Sequence, residues 1–168
     1  LDRATAGELD AEVVCVVSSR DDAYGLVRAR NAGIAAVIVS RKAHGDVESF
    51  SRAVWEQIDR HKIDLVVLAG FMSLLKIPGH FANRIVNVHP ALIPAFCGKG
   101  MYGKHVHEAV IAYGAKLTGV TVHFVDDHYD HGPIILQSAV PVLEGDTADT
   151  LAERVQATGF VLGVDISR

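Results

Sequence analysis

Residues 13–39, VVCVVSSRDDAYGLVRARNAGIAAVIV, decide the fold. Residues 13–17 are a short β-branched apolar run, closed by the polar cluster Ser18-Ser19-Arg20-Asp21. An apolar run without alternation predicts a strand covered on both faces. Residues 24–32 then place Leu26, Val27 and Arg30 at helical spacing, with Gly33 at the C-cap. Residues 36–39, AVIV, predict a second buried strand. Strand, helix, strand in this order joins parallel neighbours.

The same alternation continues outward. Phe50, Val54 and Ile58 form an i, i+4, i+8 stripe that predicts a helix over residues 46–61. Residues 65–69 predict a third strand ending at Gly70, and residues 85–88 a fourth ending at His89-Pro90. The second half changes character. Pro94, Gly98, Gly100 and Gly103 predict a long loop over residues 94–104, before a helix at 105–113 closed by Gly114. Residues 118–125 and 134–142 read as strands joined by DDHYDHGP, residues 126–133. They predict an antiparallel pair and hence a mixed sheet. A last helix is predicted over residues 147–158, with Asp146 as N-cap and Leu151 and Val155 on one face. With no repeat and no linker, residues 1–168 read as one α/β domain.

Composition narrows the function. Sixteen Lys and Arg against 20 Asp and Glu give a net charge of −4. That opposes a nucleic-acid clamp or a polybasic membrane-surface protein, both of which need a basic face. Hydrophobic residues at 49% and charged residues at 21% fit a globular chain. No apolar run reaches the roughly 18 residues of a membrane span. Cys15 and Cys97 read either as free thiols of a reducing compartment or as a pair, and a cytoplasmic location is expected.

Several polar residues fall beyond strand ends, where open parallel α/β sheets bind ligands. Asn87 and His89 are two apart, so alternation points both to one side. An amide beside an imidazole suits an oxyanion and a mobile proton. Spacing alone favours a turn-capping Asn and a satisfied core His. Asp126, Asp127 and Asp130 lie in the acidic loop, with Gly132-Pro133 fixing the backbone behind them. One carboxylate there could orient His89, or the loop could be a solvated turn. His105 with His107, and His128 with His131, match no zinc spacing, so no metal is expected. His105 and His107 are expected to cap and flank a helix start. Gly98-Lys99-Gly100 follows a proline loop rather than a strand, which makes it a weak phosphate signal.

Three segments carry a resemblance. DLVVLAGFM (64–72), IVNVHPALIP (85–94) and TGVTVHFVDDHYDHGPIILQ (118–137), in this order, resemble the formyltransferase superfamily. PAFCGKGMYG (94–103) and residues 141–150 are similar to the phosphoribosylglycinamide formyltransferase family within it. The resemblance implies a Rossmann-like formyltransferase fold, mostly parallel with an antiparallel C-terminal pair. It implies formyl transfer from 10-formyltetrahydrofolate to the amine of glycinamide ribonucleotide, in purine biosynthesis. It assigns Asn87 to the developing oxyanion and His89 to that oxyanion and the leaving nitrogen. Asp130 fixes His89 and relays a proton through water, with His123 behind it. Folate is expected against Met72, Leu74 and Leu75, with the backbone of Val125, Asp126, Asp127 and Asp130 reading the pterin edge.

The ends depart from the family pattern. Residues 1–12, LDRATAGELDAE, resemble the tail of the family's first helix, so the first strand and its phosphate loop are expected to be lacking. Gly159 and Phe160 stand where the family shows a Glu-His pair. A shortened chain of this kind leaves two further readings: hydrolysis of formyltetrahydrofolate, or a non-catalytic folate-binding remnant or fragment. A vacant central strand position would be costly in unpaired backbone. Either the remaining strands close up, or a second copy covers the edge as a homodimer.

Overall fold

Strand–helix–strand over residues 13–39 appears in the computed structural model as β1 (Cys15–Ser18), α2 (Tyr24–Asn31) and β2 (Ala35–Ile38), preceded by a short helix α1 (Asp2–Thr5). The structure describes residues 1–161, with side chains described up to residue 158. It divides into two units, Leu1–Asp64 with Ser73–Lys76, and Leu65–Met72 with the chain from Ile77 onward.

In the first unit β1 and β2 pair in parallel, Cys15 opposite Ala35 through Ser18 opposite Ile38. Contrary to expectation, neither strand is covered on both faces. All of β1 is only half-buried, and both ends of β2 are exposed. A β-branched run therefore marks strand propensity here without marking burial. Gly33, at φ 71°, lies one residue beyond the helix C-cap Ala32. Helix α3 (Val47–Ile58) starts where Asp46 accepts the Ser49 N–H at 2.7 Å, a cap worth about 1 kcal/mol. Its stripe is the core of this unit, with Phe50, Val54 and Ile58 all buried. The adjoining face of α3, carrying the buried Ser51 and Trp55, grips residues 73–76. The Lys76 N–H donates to Ser51 Oγ at 2.9 Å, and the Trp55 indole N–H donates to the Lys76 carbonyl at 2.7 Å.

The second unit holds β3 (Val66–Leu68), β4 (Ile85–His89), α4 (Lys104–Tyr113), β5 (Leu117–Phe124), β6 (Ile134–Pro141) and α5 (Ala148–Val161). Its sheet runs β3-β4-β5-β6. β3 and β4 are parallel, while β4–β5 and β5–β6 are antiparallel. The expected mixed sheet is therefore present. Val110, Val120, Val140, Leu151 and Val155 form a core joining α4, α5 and the β5–β6 hairpin. Burying each such side chain contributes about 1.5–3 kcal/mol. Gly114, at φ 78°, ends α4 as expected. The predicted strands do not close into one sheet: β1–β2 and β3–β6 are separate sheets among the described residues.

Two capping expectations fail. Thr147, not Asp146, caps α5, its Oγ1 accepting the Thr150 N–H at 3.2 Å. Asp146 sits one residue earlier and is occupied by Arg154, at 2.7 and 2.8 Å, and by the Leu143 N–H at 2.7 Å. Neither His105 nor His107 caps α4; the N-cap is Gly103, with no side-chain bond. The side chains of Gly159 and Phe160 lie outside the described residues.

Candidate active site

β4 presents Asn87 opposite His123 and His89 opposite Thr121 on β5. Alternation along β4 sends both polar side chains to one side, as the sequence predicted. The β5–β6 loop brings Asp130 to them. Asp130 Oδ2 lies 3.5 Å from His89 Nδ1, and Asp130 Oδ1 accepts from Asn87 Nδ2 at 3.4 Å. Asp130 sits at φ 52°, a left-handed conformation uncommon for a residue with a Cβ. The chain adopts it where the carboxylate must face inward.

Each ring nitrogen has a defined job. His89 Nε2 stands 2.8 Å from the Phe96 carbonyl, which can only accept, so Nε2 carries the proton. Nδ1 is left as the nitrogen that exchanges a proton, and it faces Asp130. His123 Nδ1 likewise donates to the Phe124 carbonyl at 2.8 Å, leaving Nε2 to accept from Asn87 Nδ2 at 3.1 Å. His123 thus orients the Asn87 amide as well as backing Asp130, 3.7 Å from its Oδ1.

Burial lowers the His89 pKa more than the Asp130 charge and the Phe96 carbonyl raise it. The resting imidazole is neutral at neutral pH. For Asp130, burial works toward a higher pKa; His123, His89 and the Gly98 N–H together outweigh it and keep the carboxyl below its usual range. A neutral base therefore faces an ionised carboxylate. His107, buried near this site, has its pKa lowered by burial and then by His89, and its Nδ1 has no partner among the described residues.

A second layer fixes the first. The Thr121 hydroxyl donates to the Ala91 carbonyl at 2.7 Å and accepts from the Ile93 N–H at 3.1 Å and from Gln137 Nε2 at 2.9 Å. These bonds hold the turn after His89 that leads to the Phe96 carbonyl. Gly98 donates its N–H to Asp130 Oδ2 at 2.9 Å. The glycine stretch read as a weak phosphate signal thus anchors the carboxylate with its first residue. The Phe96 carbonyl and Gly98 N–H were not readable from sequence, because backbone groups leave no residue-type signal. Thr121 lay inside a quoted motif and could have been flagged by its pairing with β4.

The folate-assigned residues fall in different places. Val125, Asp126 and Asp127 line a cleft of ≈ 350 Å³ with Ile77, Pro78, Gly79, Ala82, Asn83 and His128. Asp127 Oδ1 accepts the Ile77 N–H at 2.9 Å across it. Met72 is exposed in the second unit, whereas Leu74 and Leu75 belong to the first, with Leu75 buried. Both cysteines are free, which settles the choice left open by their number; Cys97 donates to the Pro94 carbonyl at 3.2 Å.

An amide, an imidazole and an anchored carboxylate gathered at the carboxyl end of the interior strand β4 suit acyl-group transfer. A family model described as formyl transferase matches residues 1–162, and the chain belongs to that family. Several of its relatives are named phosphoribosylglycinamide formyltransferase, and the chain belongs to that branch. The Escherichia coli (strain K12) enzyme is 39% identical over 93% of this chain and 72% of its own length. The chloroplastic protein of Vigna unguiculata is 43% identical over 95% of this chain, which spans only 52% of that relative. The crystal structure of glycinamide ribonucleotide transformylase 1 from Symbiobacterium toebii superposes with a TM-score of 0.84 at 44% identity, covering 93% of this chain and 72% of that one.

Proposed function

We propose that the chain transfers the formyl group of 10-formyltetrahydrofolate to the amine of glycinamide ribonucleotide, a step of purine biosynthesis. The observation that carries this reading is the convergence of Asn87, His89 and Asp130, with Asp130 3.4 Å from the amide and 3.5 Å from the imidazole. The amine nitrogen attacks the formyl carbon, and the carbonyl electron pair moves onto oxygen. Asn87 Nδ2 donates to that oxyanion, and His89 stabilises it. Collapse breaks the bond from carbon to the folate nitrogen. The amine's surplus proton passes through water and Asp130 to His89 Nδ1, 3.5 Å away; the imidazolium so formed steadies the oxyanion and gives the same proton to the departing nitrogen, which returns Asp130 to carboxylate and His89 to neutral imidazole. Holding donor and acceptor in line supplies much of the acceleration. Within the second unit the folate is assigned to Met72 and to the backbone of Val125, Asp126, Asp127 and Asp130. Residues 1–168 act as a single formyltransferase-like domain in this reading, supported by the unbroken family match.

The test incubates the full chain with 10-formyltetrahydrofolate, with and without glycinamide ribonucleotide, and follows the folate product. Turnover that requires the amine is expected. Equal turnover without it would replace transfer by hydrolysis, and folate binding without turnover would leave only a binding module.

A cytoplasmic homodimer completes the proposal. Both cysteines are free, and among the described residues no helix is long and apolar enough to cross a membrane. Leu65 and Val67, 52% and 55% exposed, give the β3 edge an apolar surface suited to a second copy. Light scattering should return twice the chain mass; a well-behaved monomer at micromolar concentration would sink the dimer.

A further inference from the structure

The β5–β6 loop gathers three side chains whose heads the proposed reaction leaves unused. Asp126 Oδ1 accepts the His128 N–H at 2.8 Å, closing a turn. Asp130, at φ 52°, then reverses the chain. Gly132 passes so close to Phe124 that a Cβ there would strike its carbonyl oxygen. These three constraints fold His131 back over Asp126, with His131 Nδ1 2.7 Å from Asp126 Oδ2. His128 Nδ1 lies 3.7 Å from Asp126 Oδ1. The two imidazole rings stand 5.2 Å apart. One oxygen and two ring nitrogens fall within 4.8 Å of one another.

We propose that Asp126, His128 and His131 bind a divalent transition-metal ion of the zinc class, through one carboxylate oxygen and the two Nδ1 atoms, with solvent completing the shell. The donor set selects the ion. Two imidazoles and one carboxylate suit zinc and its neighbours, whereas magnesium and calcium prefer all-oxygen shells. Bonds of about 2.0–2.1 Å in a tetrahedron set ligand atoms roughly 3.3 Å apart. The widest separation of 4.8 Å must therefore contract by about 1.5 Å. The histidines can supply that by rotation, since their side chains are 75% and 71% exposed. Asp126 supplies the anionic oxygen, and His131 Nδ1 exchanges its contact with that carboxylate for the ion, its proton moving to Nε2. The expectation of no metal rested on spacing between histidines. The pattern is Asp-x-His-x-x-His, in which the first ligand is a carboxylate.

Calorimetric titration of the full chain with zinc chloride tests this, with magnesium chloride alongside. One zinc ion per chain and no magnesium uptake are expected. The double substitution His128→Gln with His131→Gln should weaken zinc binding more than about tenfold, since even outer-shell losses cost that much. Both side chains are solvent-facing, so unchanged metal-free melting will show that the variant folds. Zinc should raise the melting temperature of the parent chain and not of the variant. No zinc uptake by the parent overturns the proposal. Undiminished uptake by the double variant also overturns it, because the ion would then sit elsewhere.

Discussion

His89→Ala is expected to lower kcat by about 10²- to 10⁴-fold, the usual contribution of a positioned acid–base group. The size follows from its surroundings. His89 is 3% exposed, its Nε2 is committed to the Phe96 carbonyl, and its Nδ1 faces Asp130. His123 also combines a backbone carbonyl with Asp130, but its Nε2 is already taken up by the Asn87 amide, so it cannot stand in for His89. Loss of a group used in the transition state should depress kcat and kcat/KM together, with KM little changed. Removing the ring also strands the Phe96 carbonyl, at a cost of about 1–3 kcal/mol. Melting curves must therefore accompany the kinetics. A folded variant with parental kcat would end the assignment of His89.

Gly132→Ala should destabilise the protein by about 1–3 kcal/mol or more and reduce kcat as well. A Cβ at this position meets the carbonyl carbon and oxygen of Phe124, which are backbone and cannot rotate away. The loop must shift, and Asp130 stands two residues before it. Gly25→Ala is the comparison. Gly25 lies within α2, and an added Cβ there meets open space. That substitution should stabilise by about 0.4–1 kcal/mol through the unfolded chain. Denaturant titration of both variants gives the contrast. Equal behaviour of the two glycines would refute the close-approach argument.

Much of this was legible because it depended on side-chain pattern. Phe50, Val54 and Ile58 read as a stripe and form the first unit's core. Leu151 and Val155 read as one face and are fully buried. Asn87 and His89 could be put on one side of a strand by parity alone. Joining them to Asp130 took a resemblance, since the 40 residues between His89 and Asp130 carry no spacing rule. What stayed hidden was backbone chemistry and local competition. The anchors of His89 and Asp130 are a carbonyl and an N–H. Asp146 looked like a cap until Arg154 claimed it. Half-burial of β1 and β2 could not be read from apolar runs, because β-branched residues favour strands whether or not both faces are covered.

The Asn87 amide has two hydrogens, and the structure spends both, one on His123 at 3.1 Å and one on Asp130 at 3.4 Å. On the proposed assignment, an arriving formyl oxygen therefore enters by exchange rather than addition. The longer bond is the one it displaces. Asp130 keeps the Gly98 N–H at 2.9 Å, so its charge is not abandoned when the amide turns away. The cost of admitting the substrate is then a single weak bond, and the same turn leaves a carboxylate oxygen vacant for a proton at the moment one is released.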